Sequence, residues 1–91
     1  MLTKALQFKG SQLEINFSTS AGGRLRVEIQ DEHGRAISGF GLEDCHLQYG
    51  DQLDRVVSWK QGADVGNLAG KPVSLRFELK DADLYSFRFQ G

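Results

Sequence analysis

The sequence predicts an all-β fold, an antiparallel β-sandwich of two sheets with seven or eight short strands. Three observations predict it. Apolar and polar residues alternate with a period of two over most of the chain. No window of ten or more residues keeps helical spacing. Eleven glycines punctuate the alternating runs, against one proline, which points to many tight turns.

The strands are read in order as Lys4–Lys9, Gln12–Ser18, Leu25–Gln30, Arg35–Phe40, Leu53–Lys60, Val73–Lys80 and Leu84–Gln90. Val73-Ser74-Leu75-Arg76-Phe77-Glu78-Leu79-Lys80 is the cleanest, with one greasy face and one wet face. Asp31-Glu32-His33-Gly34 has the chemistry of a type I turn closed by a left-handed glycine. Ser20-Ala21-Gly22-Gly23 and Asp81-Ala82-Asp83 read as turns joining their neighbouring strands into hairpins. Asp64 is placed to cap one helical turn running to Leu68. Pro72 opens a strand, where its missing N–H does least harm.

Half-buried strands must pack sheet on sheet, because one sheet does not cover its own apolar face. The immunoglobulin pattern of Cys, Trp and Cys is absent, since the single Cys precedes the Trp, and this favours a jelly-roll arrangement.

Ninety-one residues form one domain, 1–91. A net charge of -1 and a pI near 6.1 provide no basic excess to neutralise phosphates or an anionic leaflet. Neither nucleic acid nor membrane is therefore expected as a partner, and no apolar run approaches the ~20 residues of a bilayer span. The N-terminal MLTKALQFKG has no apolar h-region of a signal peptide. A lone Cys45 excludes an internal disulfide.

The segment GFGLEDCHLQYGDQLDRVVSWK, Gly39 to Lys60, departs from the regular pattern and gathers the only Cys, one His and the only Trp. Cys45 and His46 are adjacent, and neighbouring side chains in extended chain point apart, which is poor geometry for a thiolate–imidazole pair. Glu43, Asp44, Asp51 and Asp54 could supply the two carboxylates of glycoside cleavage, but so small a sandwich has little depth to enclose a sugar. No enzymatic activity is expected.

Asp44, Asp51 and Asp54 are hard oxygen donors of the kind calcium takes, but no D-x-D-x-D-G loop is present, and the simpler reading is of solvated or turn-capping residues. No cofactor is expected, and zinc spacing is absent. Phe8, Phe17, Phe77, Phe87 and Phe89 fall on apolar faces, and Tyr85 shares the face of the last two. Phe40 reads either as a core plug or as part of a binding rim. Trp59 shares a face with Val57, which favours burial; the alternative is a sugar-stacking platform. Tyr49, beside Gly50, is the candidate exposed aromatic. The expected carbohydrate-binding set is Tyr49, Trp59, Asp44 and Asp51. The outward Asn16, Arg26, Glu28, Arg76, Glu78, Arg88 and Gln90 read as a solvated sheet face, one that also suits sugar hydroxyls.

Gly39-Phe40 with Glu43-Asp44-Cys45, Arg55 to Trp59, Leu68 to Lys71, and Leu75-Arg76-Phe77 with Asp81 to Phe87 together resemble a small β-sandwich domain. It stands at the C-terminal end of bacterial secreted proteins with glycosidase- or sialidase-like β-propellers. The resemblance runs from about Thr3 to Phe89. It implies an extracellular or periplasmic setting as a fragment of a larger secreted chain, and an accessory role beside a carbohydrate-active domain. The module would be non-catalytic and would bind carbohydrate or support the neighbouring propeller; the alternative is a structural spacer without a ligand.

Overall fold

The alternating runs at Gln12–Ser18 and Leu25–Gln30, expected as two strands, are one. The computed structural model describes every residue from Met1 to Gly91. Its strands are β1 (Gln12–Gln30), β2 (Asp51–Val56) and β3 (Ser74–Gln90). They form a single antiparallel sheet in the order β2-β1-β3.

This corrects the expected two-sheet sandwich of seven or eight strands, and the jelly-roll reading with it. The runs at Val73–Lys80 and Leu84–Gln90 also merge, into β3. Lys4–Lys9 and Arg35–Phe40 form no strand; their ladder pairing is limited to single bridges, Leu6 with Val73 and Gln30 with Ala36. The expected strand Leu53–Lys60 is the shorter β2.

Nineteen residues of straight strand would extend about 63 Å, yet the longest dimension of the molecule is 36 Å. The β1–β3 ribbon therefore folds over at its middle. Between the paired residues Thr19 and Arg24, β1 takes the outside of the corner with Ser20 to Gly23, while β3 crosses the inside with Asp81 alone, between Ala82 and Lys80. Asp81 adopts a left-handed φ of 48°, and Gly22 one of 79°. Gly23 has no room for a side chain, because a Cβ there would lie 2.4 Å from the Asp81 carbonyl oxygen.

Folding over solves the coverage problem that argued for two sheets. Both arms of the ribbon turn their apolar faces into one core. Leu13, Ile15 and Phe17 come from the first arm of β1, and Leu25, Val27 and Ile29 from the second, all fully buried. Val73, Leu75 and Phe77 join them, and Phe8, Phe40, Cys45, Val57, Trp59, Val65 and Leu68 complete the cluster. No helix is long and apolar enough to cross a membrane.

Two local expectations are met, and the open reading of Phe40 is resolved. Gly34 closes the Asp31 turn with φ 77° and an N–H donated to the Asp31 carbonyl at 3.1 Å. Asp64 Oδ1 accepts the Gly66 N–H at 2.8 Å and caps the 3-10 turn Gly66–Leu68. Phe40 is a core plug, 7% exposed.

Tyr85 is a correction. The register passes from Asn16–Ser86 to Phe17–Leu84 and leaves Tyr85 as the extra residue of a bulge. It therefore leaves the face of Phe87 and Phe89, stands 64% exposed, and sets its hydroxyl 2.7 Å from Ser18 Oγ.

Candidate functional site

The fold corner creates a groove. Beyond Thr19 the chain swings outward through small residues and returns to strand at Arg24. Opposite it runs the loop before β2, held against the second arm of β1 by Gln48. The Gln48 N–H donates to the Leu25 carbonyl, and the Leu25 N–H donates back, at 2.9 and 2.8 Å. Side chains alternate along this extended stretch. Gln48 points inward and is 3% exposed, while Leu47 and Tyr49 point out at 49% and 66%.

Gly50 anchors the loop's end. Its N–H donates to Thr19 Oγ1 at 2.8 Å, and its carbonyl accepts the Thr19 N–H at 2.9 Å. The result is an open groove of about 470 Å³ lined by Thr19 to Arg24 on one side and by Leu47, Tyr49 and Gly50 on the other.

Arg24 is the one charged residue of this lining. Its Nε is buried and makes no hydrogen bond. An unpaired buried donor is costly, and a ligand acceptor would have to displace the groups covering it to make the pair. The lining thus offers the Tyr49 ring with its hydroxyl, the Arg24 side chain and the Ser20 hydroxyl, while the Thr19 hydroxyl is held by Gly50. It contains no pairing of a nucleophile with a base, and its chemistry is that of binding.

The expected site residues are only partly brought together. Tyr49 lines the groove and Asp51, exposed at the start of β2, follows its Gly50 edge. Trp59 is not a platform: it is fully buried, donates Nε1–H to the Val27 carbonyl at 3.0 Å, and meets Phe40 edge-on at 5.2 Å. Asp44 serves its own 3-10 turn, Leu42–Asp44, accepting the Gly41 N–H at 3.3 Å. Asp44, Asp51 and Asp54 do not gather as a calcium ligand set; no three His, Cys, Asp or Glu residues do so.

Cys45 and His46 point apart, as adjacent residues in extended chain should. Cys45 is 7% exposed and its Sγ accepts the Val27 N–H at 3.3 Å. Burial pushes its thiol pKa up, away from nucleophilic character. His46 is exposed, with Nδ1 2.7 Å from Ser58 Oγ.

The polar sheet face, expected as solvated, is largely tied to itself. Glu14 is only 5% exposed and accepts Arg88 Nε–H at 3.0 Å and the Gln90 amide. Glu28 accepts the Gln30 amide at 2.8 Å and faces Arg76 at 3.7 Å. Arg26 donates to Glu78 at 2.8 Å. Groups already paired in this way have little left for sugar hydroxyls.

Sequence reasoning missed Arg24, Leu47 and the Ser20–Gly23 wall. The signal was the Gly-Gly pair followed at once by arginine, taken for a hairpin turn rather than a corner. Comparison of the chain with protein-family models, with curated proteins and with solved structures finds no match to any of them.

Proposed function

We propose that the protein is a non-catalytic accessory module that binds carbohydrate in the corner groove. The observation that carries this reading is the exposed Tyr49 ring set across the groove from Arg24, whose Nε lacks a partner. A sugar presents apolar C–H faces and hydroxyl oxygens together. An aromatic face and a guanidinium fork suit the two. The groove is shallow and open, so weak affinity in the micromolar to millimolar range is expected. The sequence resemblance to domains of secreted carbohydrate-active proteins supports the same reading and an extracellular or periplasmic setting.

A second reading, a domain-packing module without a ligand, is favoured by Leu53 on β2, which is 80% exposed. A glycan-array screen of the domain, with calcium and with chelator, followed by NMR titration of any hit, decides between them. Shifts centred on Tyr49 and Arg24 support carbohydrate binding. A blank at high protein concentration, or shifts elsewhere, would sink it.

A further inference from the structure

The first arm of the ribbon leaves one sheet edge open. Alternation along β1 shows which groups of β3 face outward. Leu13 gives its carbonyl to Val57 and Thr19 gives its N–H to Gly50, both on the β2 side. Odd residues of this arm therefore face β2, and Gln12, Glu14, Asn16 and Ser18 face β3, opposite Gln90, Arg88, Ser86 and Asp83. The backbone groups of Ala82, Leu84, Phe87 and Phe89 are left pointing out. The N-terminal segment makes its backbone bonds to the stretch at Val73, Leu75 and Phe77; Phe8 stacks on the Phe89 ring at 3.9 Å, but no backbone group of the segment pairs with these four.

These four positions are symmetric about the Tyr85–Ser86 peptide. The bulge at Tyr85 sets that centre on a peptide instead of on a residue, and separates Leu84 from Phe87 by three positions where a regular strand would have two. We propose that this edge is an interface for a second copy of the chain, paired antiparallel about a two-fold axis through that peptide. Leu84 then lies opposite Phe87 of the second copy, and Ala82 opposite Phe89, with the two Tyr85–Ser86 bulges facing each other where the ladder is interrupted at the axis.

Side-chain chemistry supports this register. Asp83 is exposed and takes part in none of the ion pairs within the chain. Across the axis it meets Arg88, which is paired within its own chain to Glu14 and Asp54 yet keeps 57% of its side chain exposed. The pair occurs twice by symmetry. On the other face, half-buried Leu84 and Phe87 border a shallow hollow of about 330 Å³ with exposed Met1 and Tyr85. Pairing would cover that apolar strip. The edge carries no Lys or Pro between Ala82 and Phe89, the residues that usually block such pairing.

The test is sedimentation equilibrium across a wide concentration range, with amide hydrogen exchange read residue by residue. The expected result is a monomer–dimer equilibrium in which the Leu84 and Phe87 amides become protected as concentration rises. Asp83→Lys places like charges together twice and should weaken the dimer about tenfold, with the monomer's exchange pattern unchanged. A chain monomeric up to millimolar concentration overturns the proposal. So does a dimer that Asp83→Lys leaves intact, or one that leaves both amides unprotected.

Discussion

Phe77 and Phe87 stand ten positions apart on one strand, yet their ring centroids are 5.6 Å apart. A straight strand would separate them by about 33 Å. The contact is therefore a direct sign of the fold-over at Asp81, and it closes the core between the two arms of the ribbon. Everything proposed for function depends on that corner, since the groove is its outer wall.

The corner should be intolerant of a methyl group at Gly23. A Cβ there meets the Asp81 carbonyl at 2.4 Å and the Lys80 carbonyl at 2.8 Å, and backbone atoms cannot step aside as a side-chain tip would. Gly23→Ala is expected to cost on the order of 2–4 kcal/mol. Urea unfolding measures it; a loss under ~0.5 kcal/mol would mean the corner is more open than described.

Trp59 should behave as a core residue. Its emission is expected to be blue-shifted and insensitive to acrylamide, because the ring is fully buried. Trp59→Ala removes a large side chain and leaves the Val27 carbonyl without its indole donor, at a cost of about 3–5 kcal/mol. Trp59→Phe keeps much of the volume and isolates the hydrogen bond, worth roughly 1 kcal/mol.

Cys45 should resist alkylation in the native state and react fully in denaturant. Burial raises its folded pKa above the unfolded one. Such a group contributes stability that is intact below the ordinary thiol range and lost as pH rises through the folded pKa. Denaturant midpoints should thus fall in the alkaline range more steeply than those of Cys45→Ala. Parallel curves would show that the thiol ionises freely when folded.

Asp31 should titrate below the ordinary range for aspartate. Its carboxylate accepts backbone N–H groups of Arg35 and His33, at 3.1 and 2.8 Å, and these bonds lower its pKa. With a depressed folded pKa, its contribution is present above the unfolded value and lost as pH falls through the folded one. Carboxyl-carbon NMR gives the midpoint. In Asp31→Asn, that part of the acid dependence should vanish.

Tyr49→Ala separates stability from binding. The side chain is 66% exposed, so unfolding should move by less than about 0.5 kcal/mol. Any glycan found by array should lose at least tenfold in affinity. Unchanged affinity would remove the stacking role and leave the groove to the domain-packing reading.

The β class and the facing of residues along the strands were legible in the sequence, while the number of strands was not. The alternation through Leu13, Ile15 and Phe17, and again through Leu25, Val27 and Ile29, names the buried face residue by residue, because side chains on a strand alternate whatever the strand pairs with. The turns at Asp31 and Asp64 were legible for a similar reason: a side-chain oxygen reaching a backbone N–H two residues on is local chemistry. The bulge at Tyr85 was not, since a bulge is fixed by the neighbouring strand's register rather than by its own residues.

The sequence by itself determined an all-β chain with a defined apolar face and an exposed Tyr49. Tertiary structure decided that Ser20–Gly23 and Asp81 are two sides of one corner instead of two hairpin turns. Period-two patterning specifies which way a side chain points but carries no record of which strand lies beside it. The choice of β3 over a local hairpin as partner for β1 is made by long-range pairing and shared burial. That pairing placed Arg24 across from Tyr49 and sealed Trp59 inside the core.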